Sequence, residues 1–291
     1  MVSTVDLLIE DVHFELSSIS PFQLGRKALA VNLSDMAAMG AVRRWVLISL
    51  AVPSNLSVGF FDDFFSRMRS LAEAHSVSLL GGIPPLPPIG SSSASSFWGE
   101  GEKDSLLYRH GAQPGDDLYV TGTLGDSLRG LHPAKSLGGK TPPPEEQFLL
   151  QKHLDPVPRL REGKILADRK IATAMIDVSD GLLSDLKPIG EESRVGDVIW
   201  AERILQSEAF RSLAPGGPGQ AWKWALKGGG DYELLFSVPP EKASELRALA
   251  QEWPCGTTRI GRIEPLAHGV FAQDEKGTVD PAELKGYDHF A

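Results

Sequence analysis

The strongest constraint on the fold of this chain is a short apolar run that ends in acidic residues. Residues 171–176 read Ile-Ala-Thr-Ala-Met-Ile, and Asp177-Val-Ser-Asp180-Gly181 follows at once. An apolar run of this length predicts a buried strand, Gly181 allows the chain to turn, and Leu182 and Leu186 predict that a helix begins after the turn. The stretch therefore predicts a strand–turn–helix unit with carboxylates at the turn.

Two roles are open for Asp177 and Asp180 at this turn. The carboxyl end of a strand is where α/β proteins place ligands, and Mg²⁺ is usually held between one or two carboxylates and substrate phosphates. The alternative is that Ser179 or Asp180 only caps the helix that follows. A second acidic motif, Asn32-Leu-Ser-Asp35, favours the metal site.

This second motif lies in a predicted helix. Ser20-Pro21 is typical of an N-cap followed by the first helical position, and the helix is predicted to run to Met39 and to end at Gly40. Asn32 and Asp35 are three positions apart, so they share a face. A buried Asn/Asp pair is costly unless its polar atoms find partners. The alternative is an exposed polar stripe.

The composition excludes several classes of protein. A chain of 291 residues, of which 42% are hydrophobic and 23% charged, predicts about two globular domains. A formal net charge of -9 argues against a nucleic-acid partner, which needs a basic face. No apolar run is long enough to span a bilayer, and residues 1–6 lack the basic region of a signal peptide. A single cysteine, Cys255, predicts no internal disulfide and fits a reducing, cytoplasmic setting.

Predicted strands and helices alternate along the chain, which is typical of the α/β class. Strands are predicted at 2–9, 45–52, 77–80, 118–121, 171–176, 198–201, 232–238 and 259–263. Helices are predicted at 20–39, 60–72, 145–154, 158–168 and 240–253. Residues 132–146 are predicted to form a surface loop, and the Gly139-Lys140-Thr141 within it is not a P-loop because Ala134 replaces the required first glycine.

Two further stretches have distinctive composition. Residues 83–97 contain four prolines and a serine run, which predict a disordered loop rather than an interior strand. Residues 122–127 form a Gly-rich turn that leads into a helix, and its backbone N–H groups could bind a phosphate. A plain strand-to-helix connection is the alternative for this turn.

Seven motifs, in this order, resemble those of a known family. They are Asp6-Leu-Leu-Ile-Glu-Asp-Val-His13-Phe14, Lys27-Ala-Leu-Ala-Val-Asn-Leu-Ser-Asp35-Met-Ala-Ala-Met-Gly40, Arg109-His-Gly-Ala-Gln-Pro-Gly-Asp116, Val120-Thr-Gly-Thr-Leu-Gly-Asp126-Ser127, Ile176-Asp-Val-Ser-Asp-Gly-Leu182, Asp231-Tyr-Glu-Leu234 and Gly286-Tyr-Asp-His-Phe290. Their order and spread are similar to those of bacterial thiamine-monophosphate kinases, whose superfamily includes aminoimidazole ribonucleotide synthetase.

The resemblance implies a fold, an activity and partners. The fold would be a two-domain, PurM-like α/β fold, with an N-terminal mixed-sheet domain at 1–116 that forms a homodimer and a C-terminal α/β domain at 117–291. The activity would be the ATP-dependent phosphorylation of thiamine monophosphate to thiamine diphosphate. ATP and several Mg²⁺ ions would lie between the two domains, and neither a nucleic acid nor a membrane is expected as a partner.

The resemblance also implies roles for individual residues. Metal binding would fall to Asp6, Asp35, Asp177 and Asp180, of which Asp35 and Asp180 are also the expected catalytic residues. Nucleotide-site positions would be Thr4, Arg109, Ser179 and Asp126. Substrate contacts would be made by His13 and Tyr287. Phosphoryl transfer depends mainly on positioning and charge neutralisation, and an acceptor phosphate oxygen is already anionic, so no strong general base is expected.

The sequence departs from the family pattern at several positions. The family has aspartate where this chain has Ile83, glutamate at Gly230, tryptophan at Leu284 and threonine at Val5. A Gly-Asp-Asp metal-binding segment also precedes the strand of Asp6 in the family, whereas this sequence begins at that strand. Two alternatives therefore stay open: a catalytically impaired or non-catalytic nucleotide-binding dimer, and another enzyme of the superfamily, such as the hydrogenase-maturation type.

Overall fold

Two β-sheets, one from each half of the chain, are packed against helices. The computed structural model describes residues 1–51, 55–82, 92–136, 142–214, 216–217, 220–274 and 277–279. The strands are β1 (Val2–Ile9), β2 (Val42–Ala51), β3 (Ser78–Gly81), β4 (Ser92–Glu100), β5 (Asp117–Thr121), β6 (Ala174–Asp177), β7 (Val195–Trp200), β8 (Leu234–Val238), β9 (Thr257–Pro265), β10 (Val270–Asp274) and β11 (Gly277–Val279). The helices are α1 (Pro21–Ala38), α2 (Val58–Ala74), α3 (Asp126–Ser136), α4 (Pro144–Leu154), α5 (Leu160–Asp168), α6 (Leu182–Ser193), α7 (Glu208–Leu213), α8 (Ala221–Lys227) and α9 (Ala243–Ala250).

The first sheet has the strand order β1-β4-β2-β3 and is mixed. Its pairs are antiparallel except for β2 and β3, which run parallel. The second sheet has the order β11-β10-β7-β9-β5-β8-β6, in which only β10 and β7 pair in parallel among the described strands. The predicted two-domain α/β class is confirmed, and β6 lies at an edge of the second sheet.

Helix α1 connects the two halves. It begins with a capping box, in which the Ser20 hydroxyl accepts the Gln23 N–H and the Gln23 side chain accepts the Ser20 N–H. Leu33 and Met36 of α1 share one apolar core with Met175 and Phe236 of the second sheet. Because α1 packs on β1, β4 and β6 together, it sets how closely the edges of the two sheets approach each other.

The prediction of a loop at 83–97 is wrong for its last six residues. Ser92–Glu100 forms β4, which lies between β1 and β2 and pairs with both. The prolines that argued against a strand all precede residue 89, outside the described residues. The serines and Ala94 keep their backbone N–H groups for the ladder, and Phe97 is fully buried against the core.

Two other sequence predictions also need correction. The predicted surface loop at 132–146 is shorter, because α3 continues to Ser136 and α4 begins at Pro144, where proline occupies the first helical turn. The strand predicted at 77–80 begins one residue later and is Ser78–Gly81, an edge strand whose side chains are mostly exposed. In the described part of the chain, no helix has both the length and the apolarity needed to cross a lipid bilayer.

Asp197 on β7 is a buried carboxylate that makes the fold sensitive to pH. It is 1% exposed, neither side-chain oxygen has a hydrogen-bond partner within the described residues, and burial raises its pKa from 3.8 to about 7. A raised folded-state pKa means that ionisation costs stability as pH rises from about 4 to about 7.

We expect Asp197→Asn to remove this cost. Relative to the wild type, its free energy of unfolding should increase by about 2–3 kcal/mol more at pH 8 than at pH 5. Urea denaturation at the two pH values measures this difference. A stability difference that does not change with pH would show that Asp197 does not titrate in this range.

Candidate active site

Acidic side chains from both halves of the chain meet where α1 passes the edges of the two sheets. Asp35 on α1 accepts a hydrogen bond from the Thr4 hydroxyl of β1 and lies within hydrogen-bond reach of Asp6, on the same face of β1 as Thr4. The Ser34 hydroxyl donates to Asp177 Oδ2 at the end of β6, at 2.6 Å. Neighbouring residues of α1 therefore contact one carboxylate from each sheet.

Asp6, Asp35, Asp177 and Asp180, called here the carboxylate cluster, perturb one another. Burial, reinforced by Asp35 and Asp180, raises the pKa of Asp6 to about 7. Burial also raises the pKa of Asp35, although hydrogen bonds from Thr4 and Asp6 oppose the rise. The pKa of Asp177 lies well above its usual value because of burial and then the charge of Asp35. Several carboxylates that raise one another's pKa values are stabilised when a cation binds among them.

The donor set of the cluster fits Mg²⁺. Asp6 Oδ2 is buried and has no hydrogen-bond partner within the described residues. In the same residues, no group of three or more His, Cys, Asp or Glu side chains is arranged to enclose a metal ion by itself. Mg²⁺ does not need such a cage, since it is commonly bound by one or two carboxylates, with phosphate oxygens and water completing its shell.

The turn after β6 is held by Asp185, a residue that sequence reasoning did not single out. Asp185 Oδ2 accepts the backbone N–H groups of Ser179, Asp180 and Gly181 at 2.9, 3.0 and 3.1 Å. Gly181 is the N-cap of α6, and no side chain caps this helix in the way proposed for Ser179 or Asp180. An acidic residue in the first turn of a predicted helix was the available signal.

Two cavities adjoin the cluster. The first, about 330 Å³ and called here the Arg109 cavity, is lined by Thr4, Asp35, Tyr108, Arg109, Asp177 and Glu192 among others. The second, about 300 Å³ and called here the His13 cavity, is lined by His13, Lys27, Ser179, Asp180, Trp224 and Tyr232 among others. The cluster thus contributes carboxylates to both cavities, which is the arrangement needed for two anionic ligands that meet at a metal site.

Backbone contacts orient the side chains at each cavity. The Ile9 N–H donates to His13 Nδ1 at 3.0 Å, so the proton of the neutral imidazole lies on Nε2. The Met175 N–H donates to the Tyr108 carbonyl at 2.9 Å, which holds the segment carrying Arg109 beside β6. Burial and the four cluster carboxylates raise the pKa of Tyr232 well above its usual value, so its hydroxyl stays protonated at the His13 cavity.

The structure gives Asp126 partners within the chain, whereas the resemblance implies a nucleotide or metal ligand at this position. Asp126 is 1% exposed, and each of its carboxylate oxygens accepts a hydrogen bond from a hydroxyl of the chain. The Thr123 hydroxyl donates to Oδ2 at 2.7 Å and the Ser207 hydroxyl donates to Oδ1 at 2.5 Å. The side chain therefore joins the start of α3 to the start of α7, which is a structural role.

The contacts of the Gly-rich turn at 122–127 favour the second alternative given for it, a plain strand-to-helix connection. The backbone N–H groups of Gly125 and Ser127 donate to the two oxygens of Asp231 at 2.6 and 3.0 Å. A carboxylate of the chain itself thus occupies donors that a phosphate would use, which the sequence could not show because Asp231 lies over 100 residues away. Tyr287, the remaining predicted substrate contact, lies outside the described residues, as do Ile83 and Leu284.

Comparisons with known proteins agree with this geometry. Models of the AIR synthase related protein family match residues 1–83 (N-terminal domain) and residues 113–272 (C-terminal domain). The thiamine-monophosphate kinase of Salmonella typhimurium is 37% identical over 289 residues, which cover 99% of this chain and 86% of that relative. The chain belongs to the thiamine-monophosphate kinase family. The resemblance read from the seven motifs is confirmed.

Solved structures of this family have the same fold. The thiamine-monophosphate kinase from Stenotrophomonas maltophilia K279a matches with a TM-score of 0.85 and 35% identity, over 96% of this chain and 86% of that one. AaThiL complexed with AMPPCP and TMP matches with a TM-score of 0.85 and 33% identity, over 99% of this chain and 86% of that one. The E. coli hydrogenase maturation protein HypE, at 17% identity and a TM-score of 0.78, shares the fold alone. The thiamine-monophosphate kinase family is thus favoured over the hydrogenase-maturation alternative.

Proposed function

We propose that this chain transfers the γ-phosphoryl group of ATP to thiamine monophosphate and releases thiamine diphosphate, with Mg²⁺ as cofactor. The observation that carries the proposal is the carboxylate cluster, which is built from both halves of the chain and adjoins two cavities. Membership of the thiamine-monophosphate kinase family supports the choice of acceptor. A complex of AaThiL with AMPPCP and TMP supports two ligands bound at once.

The Arg109 cavity suits the nucleotide, because its lining combines a guanidinium with the hydroxyl of Thr4 next to Asp35. The His13 cavity suits the acceptor, whose reacting phosphate would face Ser179 and Asp180. Asp6, Asp35, Asp177 and Asp180 would hold Mg²⁺, which when bound neutralises the charge of both phosphate groups. The attacking phosphate oxygen of the acceptor is already anionic, so the side chains need to align the two ligands but do not need to remove a proton.

One departure from the family pattern does not touch this site. Val5 stands where the family has threonine, but its side chain is 67% exposed on the opposite face of β1 from Thr4 and Asp6. The hydroxyl lost at Val5 therefore removes no ligand from the carboxylate cluster. This observation supports the active-kinase interpretation over the non-catalytic one.

A direct assay tests the proposed function. The purified protein is incubated with ATP, MgCl₂ and thiamine monophosphate, and thiamine diphosphate is measured by chromatography. Product that requires all three components is the expected result. ATP consumption without thiamine diphosphate, or no reaction under conditions where the protein is folded, would contradict the proposal and favour a non-catalytic nucleotide-binding dimer.

We also propose that a second copy of the chain covers the outer face of the first sheet. Val5, Leu7, Leu47 and Leu80 on this face are 67%, 48%, 37% and 58% exposed, a concentration of apolar surface that favours an interface. Leu47→Lys should convert a dimer into a monomer in sedimentation velocity. Val58→Lys, at a position 77% exposed on α2, is the matched control and should leave the sedimentation unchanged.

A further inference from the structure

Lys27 is a buried amine at the His13 cavity that the mechanism above does not use. The residue lies on α1, is 4% exposed and lines the cavity. Its Nζ lies 3.3 Å from the His13 carbonyl and 3.3 Å from His153 Nε2. No carboxylate forms an ion pair with it within the described residues. Burial lowers its pKa to about 7, so the charged form of this amine is held at some cost in free energy.

A line of hydrogen bonds fixes the position of this amine. His153 is 8% exposed, and its Nδ1 lies 3.0 Å from Ser127 Oγ. When the Lys27 ammonium donates to His153 Nε2, the imidazole proton must lie on Nδ1 and be donated to Ser127 Oγ. Gly230 leaves room for this hydroxyl, since a Cβ at position 230 would lie 2.6 Å from Ser127 Oγ.

The cavity around Lys27 has the character of an anion site, although the chain as a whole is acidic. An ammonium has three N–H donors, and the two contacts above use two of them. Lys227 also lines this cavity, whereas Asp180 is the one carboxylate among its lining residues in the described chain. The apolar walls include Leu128 and Trp224, which suit an aromatic ring attached to the anion.

We infer that Lys27 is the counter-ion for the phosphate group of the acceptor, and that His153 and Ser127 are positioning residues that hold its amine toward the cavity. This inference rests on the proposed function, because it takes thiamine monophosphate as the acceptor. Lys27 would therefore favour the binding of thiamine monophosphate over that of thiamine, which lacks the phosphate. A desolvated, charge-assisted hydrogen bond to phosphate is strong enough for that task.

The test compares two ligands that differ only in the phosphate. Titration calorimetry without ATP measures the binding of thiamine monophosphate and of thiamine to the wild type and to Lys27→Met. We expect thiamine monophosphate to bind about 10- to 100-fold more weakly to the variant, and thiamine to bind equally well to both proteins. Lys187→Met, which removes an exposed lysine of α6, is the control and should change neither affinity.

Two further measurements separate this role from a structural one. Lys27→Met should unfold at the same or a higher temperature than the wild type, because it removes a buried amine without a counter-ion. His153→Gln should raise the KM for thiamine monophosphate several-fold more than the KM for ATP. A uniform change in both KM values would identify His153 as merely structural.

Ligand binding and product formation are measured separately, so each can fail while the other succeeds. Equal weakening of both ligands by Lys27→Met, or weakening of neither, would overturn the inference alone. A wild type that binds thiamine monophosphate with Lys27-dependent preference but forms no thiamine diphosphate would overturn the proposed catalysis and leave the inference intact. A wild type that binds neither ligand would overturn both.

Discussion

Replacing Asp35 by asparagine is expected to lower kcat for thiamine diphosphate formation by about 1000-fold or more, while making the ligand-free protein more stable at pH 8. Asp35 lies between Thr4 and Asp6 of the first half and close to the charge of Asp177 in the second half. The loss of a carboxylate that neutralises phosphate charge through Mg²⁺ should remove several kcal/mol of transition-state stabilisation, about 4 kcal/mol for a 1000-fold loss.

Asp35→Asn is expected to lower kcat but to raise the free energy of unfolding, because the ionised carboxylate destabilises the ligand-free protein. Burial raises the pKa of Asp35 in the folded state. Below the unfolded pKa the carboxyl is protonated in both states and does not change stability, whereas above the folded pKa its ionisation destabilises the folded state most. Without Mg²⁺ or nucleotide, the hydrogen bonds from Thr4 and Asp6 offset only part of this cost at pH 8, and asparagine removes it.

Kinetics and urea denaturation at pH 8 measure the two effects. Asp168→Asn is the control, since Asp168 forms an exposed pair with Lys164 and should change neither quantity appreciably. Turnover of Asp35→Asn within tenfold of the wild type, or a loss of stability in the ligand-free protein, would contradict the role given to Asp35.

Replacing Glu233 by glutamine is expected to have the largest effect on the fold itself. Glu233 is 2% exposed; Arg159 donates to both of its oxygens, and the Thr121 hydroxyl donates to Oε2 at 2.6 Å. These residues join the end of β5, the start of α5 and the start of β8. Removal of the carboxylate leaves the Arg159 guanidinium, whose side chain is 15% exposed, without its counter-ion, so the free energy of unfolding should fall by about 3–5 kcal/mol.

An exposed pair provides the matched control for Glu233→Gln. Arg161 and Glu252 form an ion pair whose side chains are 57% and 75% exposed, so Glu252→Gln should lower the free energy of unfolding by less than about 0.5 kcal/mol. Urea denaturation of both variants under the same conditions gives the comparison. Similar losses in the two variants would show that the Arg159–Glu233 pair does not stabilise the fold.

The parts of the fold that could be predicted are those encoded locally. Ser20-Pro21 at the start of α1 and Gly40 at its end predicted the helix almost to the residue. The apolar run before Asp177 predicted β6, although the strand begins later, at Ala174. The two acidic motifs predict a metal site because each has carboxylates beside a strand or helix end, and this remains a prediction.

The parts that could not be predicted depend on contacts between distant residues. The serines of β4 have low strand propensity, and the strand forms because β1 and β2 flank it on both sides. Asp126 resembles a ligand in sequence, whereas its partner Ser207 lies 81 residues away. Lys27 falls on the apolar face of α1, and only the structure shows that His153 and a cavity lie beside it.

We propose that carboxylates from the two halves of the chain bind a divalent metal together, next to the nucleotide. The most direct test is electron paramagnetic resonance of Mn²⁺, used in place of Mg²⁺, bound to the protein with AMPPCP. Asp35→Asn changes the first half of the chain and Asp180→Asn the second, and each is expected to weaken Mn²⁺ binding at least about tenfold, whereas Asp168→Asn should leave it unchanged. Mn²⁺ binding that responds to neither substitution, or to a change in only one half of the chain, would show that the two halves do not bind the metal together.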